Sequence, residues 1–166
     1  VPRGETELLV DHVLEQNPES VLEIGTGSGV ISVSLKKTRP ELRVVAGDVS
    51  EDALIVANKN IVQHGVDVEL IQSDLLENIP DVNFDILVAN LPYIGEKEHN
   101  FVAENVEKYE PHLALFGGED GLRLYAKMFE QIREQGRSFK WIMGEIGFMH
   151  REAVIALCGE LLPEYE

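Results

Sequence analysis

Cysteine is almost missing from this 166-residue sequence. Cys158 stands alone, so no disulfide can form within the chain, and a reducing, cytoplasmic setting is expected. Basic residues are scarce as well: 14 Lys and Arg against 30 Asp and Glu leave a net charge of −16, with no local basic cluster. Such a surface repels a phosphate backbone, which disfavours DNA or RNA and suits a protein or small-molecule partner. No apolar run is long enough to span a bilayer, and the polar start Val1-Pro2-Arg3-Gly4-Glu5 does not resemble a signal peptide, so no membrane association is expected. Metal-ligand spacings are also lacking. His12, His64, His99, His112 and His150 are scattered and read as structural or surface residues, with no metal expected.

What is present is a 44% hydrophobic chain of one-domain length, enough for an ordinary buried core. Short apolar runs alternate with amphipathic stretches. Strands are predicted at 21–24, 42–46, 66–71, 84–89 and 139–146, and helices at 31–37, 50–64, 121–135 and 151–162. Ser50 is a candidate N-cap, with Glu51 and Asp52 in the first turn and Gly65 as the stop. Residues 90–119 form a long irregular stretch with room for a short helix at 98–106. Strands separated by helices imply crossover connections and a mostly parallel sheet covered on both faces, an α/β three-layer sandwich. Ligands of such sheets bind beyond the carboxyl ends of the strands, so the residues that follow each strand are the ones to inspect.

After the first strand comes Glu23-Ile24-Gly25-Thr26-Gly27-Ser28-Gly29. Glycines let the backbone turn tightly and approach a ligand with no Cβ in the way, and the helix that follows offers free N–H groups. A dinucleotide fingerprint would need a third glycine at position 30, where Val30 stands, and the chain shows no acid/base pair for hydride transfer. The G-x-G-x-G spacing with an acid two residues before it resembles motif I of the S-adenosylmethionine (SAM) methyltransferases. The second strand ends in Ala46-Gly47-Asp48-Val49, where a carboxylate can accept two ribose hydroxyls. The third leads into Ser73-Asp74-Leu75, a place that in SAM enzymes contacts the adenine. Each acid has a plainer reading beside this one: Asp48 as a helix-start residue and Asp74 as a turn residue.

The fourth strand ends in Asn90-Leu91-Pro92-Tyr93. This resembles the (D/N/S)-P-P-(Y/F/W) motif of methyltransferases that act on planar nitrogen. The lone pair of an amide or aromatic amine is delocalised and weakly nucleophilic. The Asn90 side-chain oxygen and the Leu91 carbonyl can each accept one N–H and hold that nitrogen towards a methyl donor. Pro92 stiffens the turn and biases Leu91 towards extended backbone, and Tyr93 can lie against the planar group. The methyl sulfonium is already activated, so positioning supplies most of the catalysis. Leu91 replaces the usual proline; its carbonyl survives, though the loop is less rigid.

Together these blocks resemble the HemK/PrmC family, the protein-(glutamine) methyltransferases of peptide-chain release factors. Val1-Pro2-Arg3-Gly4-Glu5-Thr6-Glu7 is similar to the family's P-R-x-(D/E)-T-E segment, and Glu110-Pro111-His112-Leu113-Ala114-Leu115-Phe116-Gly117-Gly118-Glu119-Asp120-Gly121-Leu122 to its E-P-x-x-A-L-x-G-G-x-D-G-L block. Gly144-Glu145-Ile146-Gly147 is similar to its E-I-G element on the fifth strand. The resemblance implies a class I SAM-methyltransferase fold, Rossmann-like, with the whole of 1–166 as the catalytic domain. It implies SAM as cofactor and S-adenosylhomocysteine as product, a release factor as protein substrate, and the glutamine of a Gly-Gly-Gln loop as acceptor. By the same resemblance Asn90, Leu91, Pro92 and Tyr93 are the catalytic set. Thr6, Glu23, Ile24, Gly25, Thr26, Gly27, Gly29, Asp48, Val49, Ser73, Asp74, Leu75 and Asn90 would line the cofactor, and Glu110 and Pro111 would join Asn90, Pro92 and Tyr93 at the substrate. The family's N-terminal recognition domain and its closing strand pair have no counterpart in 1–166, which leaves the fifth strand as an expected sheet edge. The alternatives are an adenine amino-methyltransferase acting on RNA or DNA, and a truncated, non-catalytic SAM-binding module.

Overall fold

The computed structural model describes residues 4–92 and 121–165. The helix that the sequence admits at 98–106 lies outside the described residues. The chain forms two compact units, one from Val1–Asn90 with Arg137–Glu145, the other from Leu91–Gly136 with Ile146–Glu166.

The first unit holds α1 (Gly4–Glu15), β1 (Ser20–Ile24), α2 (Val30–Thr38), β2 (Arg43–Asp48), α3 (Glu51–His64), β3 (Glu69–Gln72), β4 (Ile86–Ala89) and β5 (Trp141–Gly144). All the strand pairings are parallel, in the order β3-β2-β1-β4-β5. β1 and β4 lie inside the sheet, and Val21, Leu22, Ile24 and the whole of 86–89 are buried. An uninterrupted apolar strand of this kind is what a parallel sheet needs at its centre. One face of the sheet presents Val21, Val44, Ile86 and Val88 to Leu9, Val10 and Val13 of α1 and to Ile31 and Leu35 of α2.

Helix α1 is the element missing from the sequence prediction. Its apolar residues recur at Leu9, Val10 and Val13, a helical spacing that places them in the core. The other boundaries follow local chemistry. Ser50 Oγ accepts the Ala53 N–H at 3.2 Å and opens α3. Gly65, at φ 62°, closes it in the left-handed conformation. β3 is shorter than predicted, 69–72 rather than 66–71, because 66–68 carry the chain from the Gly65 cap to the sheet. β5 is likewise shorter than 139–146. It is an outer strand of the described sheet, and its Trp141 is half exposed. Asp85 ties the strand starts together: its Oδ2 accepts the Glu19 N–H at 2.7 Å, and its Oδ1 pairs with Lys140 Nζ at 2.7 Å. The Lys140 hydrogen bond holds the Asp85 carboxyl below the usual carboxylate range.

The second unit contains α4 (Arg123–Glu134), a 3-10 turn (Phe148–His150) and α5 (Arg151–Leu161). Tyr125, Met128, Phe129 and Ile132 form one buried stripe on α4. Within it the Tyr125 and Phe129 rings meet edge-on at 6.3 Å. The chain leaves α4 through Gly136 at φ 61°, the stop read from the sequence.

Candidate cofactor and acceptor site

The strand order contains one reversal. From β1 the chain builds outward through β2 to β3, then crosses to β4 on the other side of β1. The crevice beyond the carboxyl ends of β1 and β4 is the switch point, where ligands of open parallel sheets bind. Register brings the motif residues to one level there. Ile24 pairs with Gly47 and with Ala89, and Ala89 pairs with Gly144. The next residues, Gly25, Asn90 and Glu145, therefore leave the sheet side by side, next to Asp48 at the end of β2.

The loop after β1 is held from β2. Gly25 N–H and Thr26 N–H both donate to the Gly47 carbonyl, at 2.9 and 3.1 Å. Gly27 N–H donates to Asp48 Oδ2 at 2.8 Å, and Ser50 N–H to Asp48 Oδ1 at 2.9 Å. Gly25, Gly27 and Gly29 all sit at positive φ, which side chains rarely tolerate. The last two differ in their surroundings. A Cβ on Gly29 would meet the Ala57 Cβ at 3.2 Å, so that glycine lets α2 and α3 approach. A Cβ on Gly27 would meet nothing within 4 Å among the described residues, so its backbone borders open space there.

Glu23 faces the other way. It is 1% exposed and accepts both the backbone N–H of Ser32, at 3.1 Å, and the Ser32 hydroxyl. Burial pushes its carboxyl up to about 7, against the opposing pull of the Ser32 hydrogen bonds. Its side chain thus clamps the strand before the loop to the helix after it. Ile24 and Thr26 are buried beside it. Ser32, its partner, carried no signal in the sequence.

Several residues suit an adenosyl ligand. Asp48 makes two backbone hydrogen bonds, and a carboxylate has about four acceptor positions, so it keeps capacity for hydroxyl donors. Val49, the next residue, is 61% exposed, an apolar surface beside that carboxylate. Ser73 is buried and its Oγ accepts the Asn78 N–H at 2.9 Å, which builds the turn after β3. Leu75 is buried with a left-handed φ of 55°, and Asp74 between them is partly exposed. The open backbone at Gly27, the carboxylate of Asp48 and the exposed face of Val49 fit the sugar and base of a nucleoside cofactor.

Asn90 lies beyond β4 and is partly buried. Its Nδ2 donates to Glu145 Oε2 at 2.8 Å and lies 3.5 Å from Thr6 Oγ1. Thr6 Oγ1 donates to the same Glu145 oxygen at 3.2 Å. Leu91 is buried and Pro92 partly so. Tyr93, Glu110 and Pro111 lie outside the described residues. Sequence reasoning placed Thr6 and Asn90 at the site but assigned Glu145 no part in it, although its E-I-G setting was visible.

A family model, the methyltransferase small domain, matches residues 4–119. The release factor glutamine methyltransferase of Streptococcus pneumoniae is 41% identical, over 99% of this chain and 60% of that protein. That of Koribacter versatilis is 41% identical, over 89% of this chain and 55% of that protein. The chain thus spans between 55% and 60% of the length of these two relatives. The resemblance to this group read from the sequence is borne out. Among solved structures, the ribosomal protein L11 methylase of Lactobacillus delbrueckii subsp. bulgaricus superposes with a TM-score of 0.67 at 19% identity, over 95% of this chain and 69% of that one. That likeness bears on the fold, which is Rossmann-like, as expected. Fold, matched residues and relatives agree: the chain belongs to the methyltransferase small domain family.

Proposed function

We propose that residues 1–166 are the catalytic domain of a SAM-dependent protein-glutamine methyltransferase acting on the Gly-Gly-Gln loop of peptide-chain release factors. The observation that carries the proposal is Asn90, held at the end of β4 beside the switch point, in a chain 41% identical to release factor glutamine methyltransferases. SAM, when bound, supplies a methyl group on a sulfonium, an electrophile that needs no further activation. The glycine loop, Asp48, Val49 and Asp74 would hold it, with Thr6 at the edge of the site.

The remaining chemistry is positioning by this chain's own groups. Asn90 Oδ1 accepts one N–H of the acceptor amide and the Leu91 carbonyl accepts the other. Both hydrogen bonds raise lone-pair density on the nitrogen along the transfer direction. Held in this way, the nitrogen would face the methyl group that bound SAM would supply, with S-adenosylhomocysteine as the leaving group. The nitrogen becomes acidic as positive charge develops, so its extra proton leaves to solvent without a strong base. Pro92, Tyr93, Glu110 and Pro111 are assigned to acceptor binding by the family resemblance alone. The net charge of −16 favours this protein acceptor over a nucleic acid, and the working compartment is the cytoplasm.

The test is calorimetric titration with SAM, followed by methyl transfer to a release factor bearing the Gly-Gly-Gln loop. Binding with transfer is expected, and Asn90→Ala is expected to abolish transfer while SAM affinity is retained. Transfer that survives Asn90→Ala would refute the nitrogen-holding role. Failure to bind SAM would refute the catalytic reading.

A further inference from the structure

An asparagine side chain presents an oxygen at one edge of its plane and an NH2 at the other, and the two differ by a half-turn. The proposed reaction needs the oxygen edge of Asn90 towards the acceptor. An amide turned the wrong way would offer N–H groups to a nitrogen that itself carries N–H, and one of the two acceptors the reaction needs would be lost. Some element of the site has to choose between the two orientations.

We propose that Glu145 makes that choice and is a positioning residue for methyl transfer, an inference that rests on the function proposed above. Ala89 and Gly144 are register partners, so Asn90 and Glu145 are the first residues past that pair on neighbouring parallel strands. The Glu145 N–H donates to the Ala89 carbonyl at 3.1 Å and holds the two backbones together at this point. A carboxylate only accepts. The edge of Asn90 that lies 2.8 Å from Glu145 Oε2 is therefore the NH2 edge, and Oδ1 is turned away from Glu145. Thr6 is buried and donates to the same carboxylate oxygen at 3.2 Å, which restrains the carboxylate from the first turns of α1. Thr6 thus supports the acceptor side of the reaction through Glu145, beyond the cofactor contact implied by the sequence resemblance.

Glu145→Gln separates this role from a structural one, because Gln keeps the size but can face Asn90 with either a donor or an acceptor. The expected result with the full chain is a kcat for transfer to the glutamine lowered about tenfold or more, the loss of one charged hydrogen bond. SAM affinity is expected to stay within about twofold, since Asn90 orientation and not cofactor binding is what changes. An independent readout needs no turnover: the Asn90 side-chain NH2 signals in a 15N NMR spectrum, identified by their loss in Asn90→Ala. They should exchange slowly with solvent in the unsubstituted chain and quickly in Glu145→Gln. Full kcat in Glu145→Gln with active parent protein overturns the positioning role and leaves the proposed function standing. Parallel loss of SAM affinity and kcat overturns it in favour of a structural role. An unsubstituted chain that binds SAM and transfers nothing to the glutamine overturns the proposed function, and the positioning role with it.

Discussion

Replacing Glu23 by Gln should change how the stability of this protein depends on pH, by an amount the structure sets. The carboxyl ordinarily titrates near 4.5, and burial between β1 and α2 raises it to about 7. Below 4.5 both the folded and the unfolded chain carry the proton, and burial of the neutral acid adds no penalty. Between 4.5 and 7 the unfolded chain gives up the proton while the folded chain retains it, so stability falls as pH rises. Above 7 the loss is complete. At about 1.4 kcal/mol per pH unit the full window corresponds to about 3 kcal/mol. Solubility is poor near the isoelectric point of about 4.6, so the practical range starts at pH 5.5. From pH 5.5 to 8 the same linkage predicts a loss of about 2 kcal/mol for the parent protein relative to Glu23→Gln. Urea unfolding of both proteins across that range measures it, and the difference cancels contributions common to both. Asp85 is one of these: its depressed carboxyl has the opposite sign and adds stability that is lost only as pH falls through its folded value. A stability difference that stays flat from pH 5.5 to 8 would show that Glu23 is ionised in the folded protein and would refute the reasoning.

The glycine loop yields a matched pair. Gly27→Ala should cost about 1–2 kcal/mol, the penalty of a left-handed alanine alone. Gly29→Ala should cost about 2–4 kcal/mol, because its Cβ also meets Ala57 at 3.2 Å; urea midpoints rank them, and equal costs would contradict the close approach of α2 and α3. Asp48→Ala should weaken SAM roughly 10- to 150-fold, the range of one charged hydrogen bond, by calorimetry. The same variant should also loosen the loop, since Gly27 N–H loses its acceptor. Unchanged affinity would reduce Asp48 to a helix-start residue.

Much of the site was legible in the sequence because its chemistry is carried by short contiguous motifs. A glycine loop, an acid at the end of β2 and an Asn-x-Pro-Tyr sequence after β4 are each readable without knowing what they face. Helix α1 lies outside the elements predicted from the sequence, although Leu9, Val10 and Val13 have helical spacing. The start of β3 and both ends of β5 moved inward, where exposed outer strands have weak apolar signals and caps decide the boundary.

The sequence alone determined the alternation of strands and helices, the absence of a disulfide, the acidic surface and the type of chemistry available after each strand. These follow from composition and local spacing. Only the tertiary structure decided which side chains meet. Glu23 was assigned to the cofactor in the sequence, yet its carboxylate closes on Ser32, nine residues on, because alternate residues of β1 face α2. Glu145 meets Asn90, 55 residues away, because parallel register sets Ala89 beside Gly144. Contacts of that length are products of strand order and register, and neither is written in any local stretch of the chain.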